Sequence, residues 1–361
     1  MDFSFSPEQD QLRAQARSFL EKRYPLARLA EIAASEDGWD RASWPELARL
    51  GWTGASIPEA QGGAGLSFVE EAIVFEELGR ALYSGPYFST VALALPAVAC
   101  APDLLAQVAS GALTATFASA AANESGTAVE VRRLGDRWLL RGETDLVPDA
   151  GWVDALVVQA RGPDGIGLYL AKRHGARPHV NVLDTVDATR RLGRVTFEDD
   201  DARLLAAPPA AAKIIAVTRR RALAALALEA VGVASQALAL GVDHAKSREQ
   251  FGRPIGAYQA VSHKLADTYV ETELARSLAY WAAWCIAEDD GQAELAASAA
   301  KTYAAEAAVA ACERAIQVHG GMGFTWDHPL HRYYKRALWI ESFDRSGAAH
   351  RADIAQVLLG G

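Results

Sequence analysis

The chain has 361 residues, half of them hydrophobic and 22% charged, and a formal net charge of −9. That is enough apolar material for two or three domains, and the acidic balance argues against a general nucleic-acid binder, which needs a basic face. Three well-separated cysteines, Cys100, Cys285 and Cys312, show no CxxC spacing; they fit a reducing cytoplasm rather than a disulfide framework or a zinc site, and read as small core hydrophobes.

The N-terminus, MDFSFSPEQDQLR, has no basic region followed by an apolar run, so no export signal is expected. Ser6-Pro-Glu-Gln9 reads as a helix start, with an N-cap, a proline at the first helical position and a glutamine able to close a capping box. Leu12, Ala16, Phe19 and Leu20 follow at helical spacing. After the glycine-rich connection Ile57-Pro-Glu-Ala-Gln-Gly-Gly-Ala-Gly65, a second capping box, Ser67-Phe-Val-Glu70, opens a helix carrying Ile73, Val74, Glu77 and Leu78, which Gly79 is placed to end. Alanine-rich segments continue to about residue 111.

The pattern then changes to short strands at Thr114–Ser119, Val129–Arg132, Arg137–Arg141, Ala155–Gln159, Gly167–Leu170 and Arg194–Glu198. Gly135-Asp136 and Pro163-Asp-Gly165 are turn signals between some of them. An antiparallel β domain of about ninety residues is expected. From about residue 208 the chain returns to helices, at Lys213–Lys246, Ala260–Asp289 and Ala293–Val318, with the low polarity of a packed bundle. Each long apolar run carries a charge or a helix breaker, so no membrane span is expected. The organisation is therefore mainly α with a β middle domain: residues 1–112, 113–207 and 208–361.

Two segments stand out for chemistry. Arg248-Glu-Gln-Phe-Gly-Arg-Pro-Ile-Gly-Ala-Tyr-Gln259 follows the end of a long helix, with Gly252 and Pro254 forcing a turn. Arg248 could offer a fork of donors to a phosphate, although an arginine beside a turn is more often solvated surface. Gln317-Val-His-Gly-Gly-Met-Gly-Phe324 ends another helix. A helix C-cap explains one glycine readily and three less so, and the backbone amides of such a turn suit a phosphate.

Together the patterns R-x-x-F-G-x-x-I-x-x-x-Q and Q-x-x-G-G-x-G-F resemble the C-terminal domain of acyl-CoA dehydrogenases. Ile57–Leu66 and Glu76-Glu-Leu-Gly-Arg80 match the N-terminal part of that family, so the resemblance covers nearly the whole chain. It implies an N-terminal helical domain, a β middle domain and a C-terminal four-helix bundle. It also implies FAD, an acyl-CoA substrate oxidised between its α and β carbons, an electron-transfer flavoprotein as acceptor, and dimers or tetramers of homologous chains. By this resemblance Arg248, Gln250 and Phe251 reach the pyrophosphate and adenine side of an FAD held mainly by a neighbouring subunit. Ile255 and Gln259 line the same pocket, and Gln317, Gly320 and Gly321 contact its adenosine and pyrophosphate region.

The departures from the family pattern are as informative. Its catalytic glutamate falls in register on Asp344, one methylene shorter. The alternative position, on the first long C-terminal helix, is Ala222, with Leu223 beside it and Glu229 two turns on. In the middle domain, Phe117–Gly126 replaces a Thr-Glu then Gly-Ser-Asp loop, and Leu146 and Pro148 stand where a tryptophan and a threonine touch the flavin ring. The chain thus resembles the smaller subunit type of heteromeric acyl-CoA dehydrogenases, which serve bulky, branched or dicarboxylic acyl-CoAs. Two readings stay open: an enzyme subunit with Asp344 as base, and a catalytically silent partner that completes the FAD site of its mate. His328-Pro-Leu-His331 has HxxH spacing, but the proline inside it and the missing carboxylate motif argue against a metal.

Overall fold

The computed structural model describes residues 5–119 and 129–360. The elements run in chain order as helices α1 (Pro7–Arg23), α2 (Leu29–Ala34), α3 (Trp44–Arg49), α4 (Phe68–Arg80), α5 (Leu95–Val98) and α6 (Pro102–Ala109); strands β1 (Ala115–Ala118), β2 (Val129–Leu134), β3 (Arg137–Pro148), β4 (Ala155–Gly162), β5 (Gly165–Lys172), β6 (His179–Leu183) and β7 (Leu192–Ala206); then α7 (Ala210–Ser247), a two-residue pair β8 (Glu249–Gln250) and β9 (Arg253–Pro254), α8 (Gln259–Ala287), α9 (Ala293–His319), α10 (Leu330–Ser342) and α11 (Gly347–Leu359). The order helices, strands, helices is the expected one. Contacts divide the chain into two compact units, one of residues 1–35, 68–83 and 223–361, the other of residues 36–67 and 84–222.

The β-rich unit holds a seven-stranded sheet in the order β1-β4-β2-β3-β7-β5, with β6 on β7. β5 also pairs β4, so β4, β2, β3, β7 and β5 close into a ring. Its pairings are antiparallel except β1–β4 and β2–β4, which are parallel; the sheet is mixed where sequence spacing suggested a purely antiparallel one. Strand β6 was missed, because His179-Val-Asn-Val-Leu183 has only an exposed or half-exposed face pattern and lacks a buried alternation. Alternate residues of the other strands, among them Val131, Leu140, Leu156, Val158, Val195 and Phe197, fill the closed core.

In the helical unit, α8 and α9 pack along their lengths, α10 and α11 lie on α9, and α1 and α8 lie on α4. The Ser6 capping box forms as expected. In the second expected box Glu70 accepts a hydrogen bond from the Gln9 side chain (2.8 Å), tying α1 to α4. Gly79 does not end its helix. It lies inside α4 because a Cβ there would sit 2.2 Å from the Glu229 carbonyl oxygen on α7. Gly232 on α7 returns the contact, with 2.1 Å to the Glu76 carbonyl oxygen. Two bare backbones therefore touch.

That crossing buries charge. Glu76 Oε2 accepts from Tyr280 (2.8 Å), Glu76 Oε1 pairs with Arg276 (3.0 Å), and Arg17 grips Glu77 with two bonds of 2.7 and 3.0 Å. Burial, reinforced by Glu76, pushes the Tyr280 phenol well above its ordinary range, so it stays a donor. Fully buried Arg336 on α10 reaches Glu229 (3.4 Å) and the Tyr83 carbonyl. Glu229 is thus a helix-packing residue.

An 18-residue stretch of α7 has a mean hydropathy of 1.8, long and apolar enough to cross a bilayer despite Glu229 and Gly232. Nearly three quarters of that stretch is buried by the protein itself, as in the core helix of a soluble fold. Gly79→Ala is expected to destabilise the fold by about 3 kcal/mol, the upper end of overpacking costs, since backbone cannot yield to the added methyl. An unchanged urea midpoint would show that α4 and α7 can separate freely.

Candidate functional site

The segment after α7 folds into a minute hairpin. Ile255 N–H donates to the Arg248 carbonyl (2.8 Å), β8 and β9 pair antiparallel, and Phe251 and Gly252 form the tip. Both tip residues have positive φ, +56° and +79°, the pattern of a two-residue type I′ turn. Glycine adopts this freely, but phenylalanine does so against its Cβ. The Phe251 ring is nonetheless 93% exposed, with its edge toward Tyr258. Tyr258 donates its hydroxyl to the Gln250 carbonyl (3.1 Å), and the Arg253 guanidinium covers its ring at 4.1 Å. Backbone strain of this kind clusters at functional sites.

The second segment is a break after α9. Gly320 has φ +62° and ψ −140°, which suits glycine alone, and a Cβ at Gly320 or Gly321 would point into open space. Gly323 instead lies against the Ile316 carbonyl. Beyond it Phe324 and Trp326 are 79% and 74% exposed, and Lys335 covers the Trp326 ring at 4.1 Å. A cleft of about 340 Å³ between α9 and α10 is lined by Glu313, Ile316, Gln317, Gly323, Phe324, His331, Tyr334 and Lys335.

The structure brings these two segments to one end of the bundle. Ala245, Leu265 and Val318 form a small core there, and Ile255, Val242 and Val261 pack on it. Of the expected cofactor residues, Arg248, Gln250, Phe251, Gln259, Gln317, Gly320 and Gly321 are exposed at this end, while Ile255 turns partly inward. Sequence reasoning missed the histidines beneath them. His244 stacks on His319 with ring centroids 4.3 Å apart, and His319 meets His328 at 4.4 Å. Their sequence signal, a histidine one turn before Arg248 and another just before Gly320, is too sparse to find without the fold. His331, the other half of the HxxH pair, faces Trp326.

Asp344 is not with them. It follows α10, whose thirteen residues span about 20 Å, at the end away from the glycine turn. Its φ is +69°, and its carboxylate lies 3.5 Å from Nε2 of buried His350 and 3.7 Å from Arg345. Buried Lys301 on α9 donates to the Glu341 carbonyl (2.9 Å) and the Arg345 carbonyl (3.3 Å), pinning that turn. Ala222 and Leu223 are buried apolar residues.

In the β-rich unit, Leu146 stands exposed at a bulge of β3 with φ +54°, followed by buried Pro148. Buried Asp149, also at positive φ, accepts a hydrogen bond from the Ser89 hydroxyl. Of the loop expected at Phe117–Gly126, residues 120–126 lie outside the described residues.

Two family models match the chain: the acyl-CoA dehydrogenase N-terminal domain over residues 6–122 and the C-terminal domain over residues 211–359. Acyl-CoA dehydrogenase IpdE2 of Mycobacterium tuberculosis is 34% identical over 332 residues, covering 91% of both chains. The chain belongs to the acyl-CoA dehydrogenase family. Among solved structures, the Tcur3481–Tcur3483 steroid ACAD is 34% identical with a TM-score of 0.86, over 98% of each chain. The ChsE4–ChsE5 complex of M. tuberculosis is 26% identical with a TM-score of 0.89, over the full length of both.

Acyl-CoA dehydrogenases are FAD-dependent flavoproteins that oxidise acyl-CoA thioesters in fatty acid or steroid catabolism. The two C-terminal turns of this family member fit part of that cofactor. Arg248, Gln250 and the open glycine backbone suit a diphosphate, and the exposed rings suit a flat base. Leu146 and Pro148, which the resemblance aligns with residues that touch the flavin ring, provide neither an indole N–H nor a hydroxyl.

Phe251→Gly is expected to leave the unfolding free energy of the isolated chain within about 1 kcal/mol, because relief of the left-handed strain offsets the entropy that glycine adds to the unfolded chain. A loss of several kcal/mol would show instead that the ring is a folding contact.

Proposed function

We propose that this chain is a subunit of a heteromeric FAD-dependent acyl-CoA dehydrogenase, and that its Arg248 hairpin and Gln317–Gly321 turn complete an FAD site seated mainly on a homologous partner chain. The observation that carries this is the separation of parts. The diphosphate-matched turns are exposed at one end of the bundle, while the chain's own ring-binding positions hold Leu146 and Pro148. The likeness to structures titled Tcur3481–Tcur3483 and ChsE4–ChsE5 supports a two-chain assembly, and the steroid ACAD at 34% identity supports a bulky, steroid-derived acyl-CoA as substrate. With this goes the division of the chain at 112/113 and 207/208, where helices give way to strands and strands to helices.

The assembled enzyme converts the acyl-CoA to a trans-2-enoyl-CoA in the cytoplasm and passes its electrons to an electron-transfer flavoprotein. Held by these turns, FAD would supply the two-electron acceptor for the β-carbon hydride. The α-proton goes to a carboxylate, and the one this chain offers is Asp344. Its half-buried turn, pinned by Lys301, gives that carboxylate a fixed position, and position matters because ~1 Å of displacement costs on the order of a hundredfold in rate.

One observation favours the second reading, a catalytically silent subunit: the Asp344 carboxylate is already engaged by His350 and Arg345 of its own chain. Silence and catalysis separate by mutation. Arg248→Ala is expected to lower the FAD content of the assembled oligomer by at least half, read from its visible spectrum, and full occupancy would refute the cross-subunit role. Asp344→Ala is expected to reduce turnover at least about a hundredfold if this chain supplies the base; unchanged turnover assigns the base to the partner and leaves this chain its FAD-completing role alone.

A further inference from the structure

The histidine column lies directly under both FAD-matched turns. Arg248 N–H donates to the His244 carbonyl (2.8 Å), and His319 immediately precedes Gly320. His319 is buried between the other two rings, its Nδ1 2.8 Å from the Ala315 carbonyl, to which it donates. His328 Nδ1 accepts from Leu330 N–H (3.3 Å) at the start of α10. That bond holds only while His328 is neutral, because a proton on Nδ1 removes the acceptor.

The surroundings also favour the neutral forms of His244 and His328. Arg248 faces His244 from the end of α7, and His331 faces His328 from α10, with Arg332 and Lys335 further along that helix. Nearby carboxylates are Asp243, beside His244 in the chain, Asp327, beside His328, and Glu313 on α9, which is engaged by the Tyr334 hydroxyl. Burial, then the neighbouring imidazoles, hold His244 and His328 below the ordinary imidazole range.

We propose that His244, His319 and His328 are positioning residues for FAD: a column of stacked imidazoles that registers the Arg248 hairpin against the Gln317–Gly321 turn and releases it when His244 or His328 takes a proton. This rests on the reading that these two turns hold FAD across a subunit interface. At pH 8 His244 and His328 are neutral whether the column is closed or open. As pH falls below about 6.5, the open form binds protons that the closed form resists, so closure weakens with acid.

The test is the FAD dissociation constant of the enzyme assembled with its partner subunit, measured by flavin fluorescence from pH 8.5 to 5.5. Binding is expected to be about tenfold weaker at pH 5.5 than at pH 7.5, one protonation's worth of linkage over a single unit. The double variant His244→Phe, His328→Phe keeps planar rings that cannot protonate, and is expected to lose most of that dependence. Should it not fold, His328→Gln, which still accepts from Leu330 N–H without taking a proton, replaces it. A constant that is flat with pH in the unsubstituted enzyme, or equally steep in the variant, overturns the proposal. If Arg248→Ala shows that these turns hold no FAD, the cross-subunit reading fails by itself. The melting temperature of the full chain then decides on the column: a steeper acid fall in the unsubstituted chain than in the variant upholds it, and an equal fall removes it.

Discussion

The contact between Gly79 on α4 and Gly232 on α7 sets the geometry of the helical unit. Each glycine lies against a carbonyl of the other helix, so the two axes can come no closer and cannot slide without a backbone clash. Around that contact the helices bury Glu76, Glu77 and Glu229, and each buried carboxylate draws an arginine from a different element: Arg276 from α8, Arg17 from α1 and Arg336 from α10. Breaking one such pair strands the other charge out of water. The network therefore ties three helices to α4 and α7 through charges that have nowhere else to go.

With α7 fixed at that crossing, its length decides where its end falls. Thirty-eight residues carry the chain to the end of the bundle where α9 also stops. The Arg248 hairpin and the glycine turn meet there because α7 and α9 both run toward that end and share the Ala245, Leu265 and Val318 core. Asp344 belongs to the far end of α10 and is set by a different device, the Lys301 ammonium that gathers the carbonyls around it. The two turns and Asp344 are thus held by independent supports.

Much of the fold was legible in sequence because its signals are local. Ser6-Pro7 and Gln9 close a cap among neighbours, Pro163-Asp164 makes a hairpin between β4 and β5, and the alanine-rich stretches of α7 to α9 have few breakers to dispute a helix. The errors came where a distant partner overrules the local preference. Gly79 looks like a helix end until α7 is seen to need the space, and β1 and β2 look antiparallel until the closed sheet places β4 between them. The 18-residue apolar stretch of α7 is equally ambiguous by composition, and only its burial against other helices assigns it to a core.

By itself, the sequence determined the family, the helix–strand–helix order and the two glycine-bearing segments that resemble the family's motifs, since these depend on residue identity at fixed short spacings. The tertiary structure decided where those segments lie. It placed them at one end, set Phe251 outward in a conformation phenylalanine avoids, and stacked His244, His319 and His328 beneath them. Those three histidines are separated by 75 and 9 positions (319 − 244 and 328 − 319). No periodicity links residues so spaced; their contact exists only because three helix ends converge.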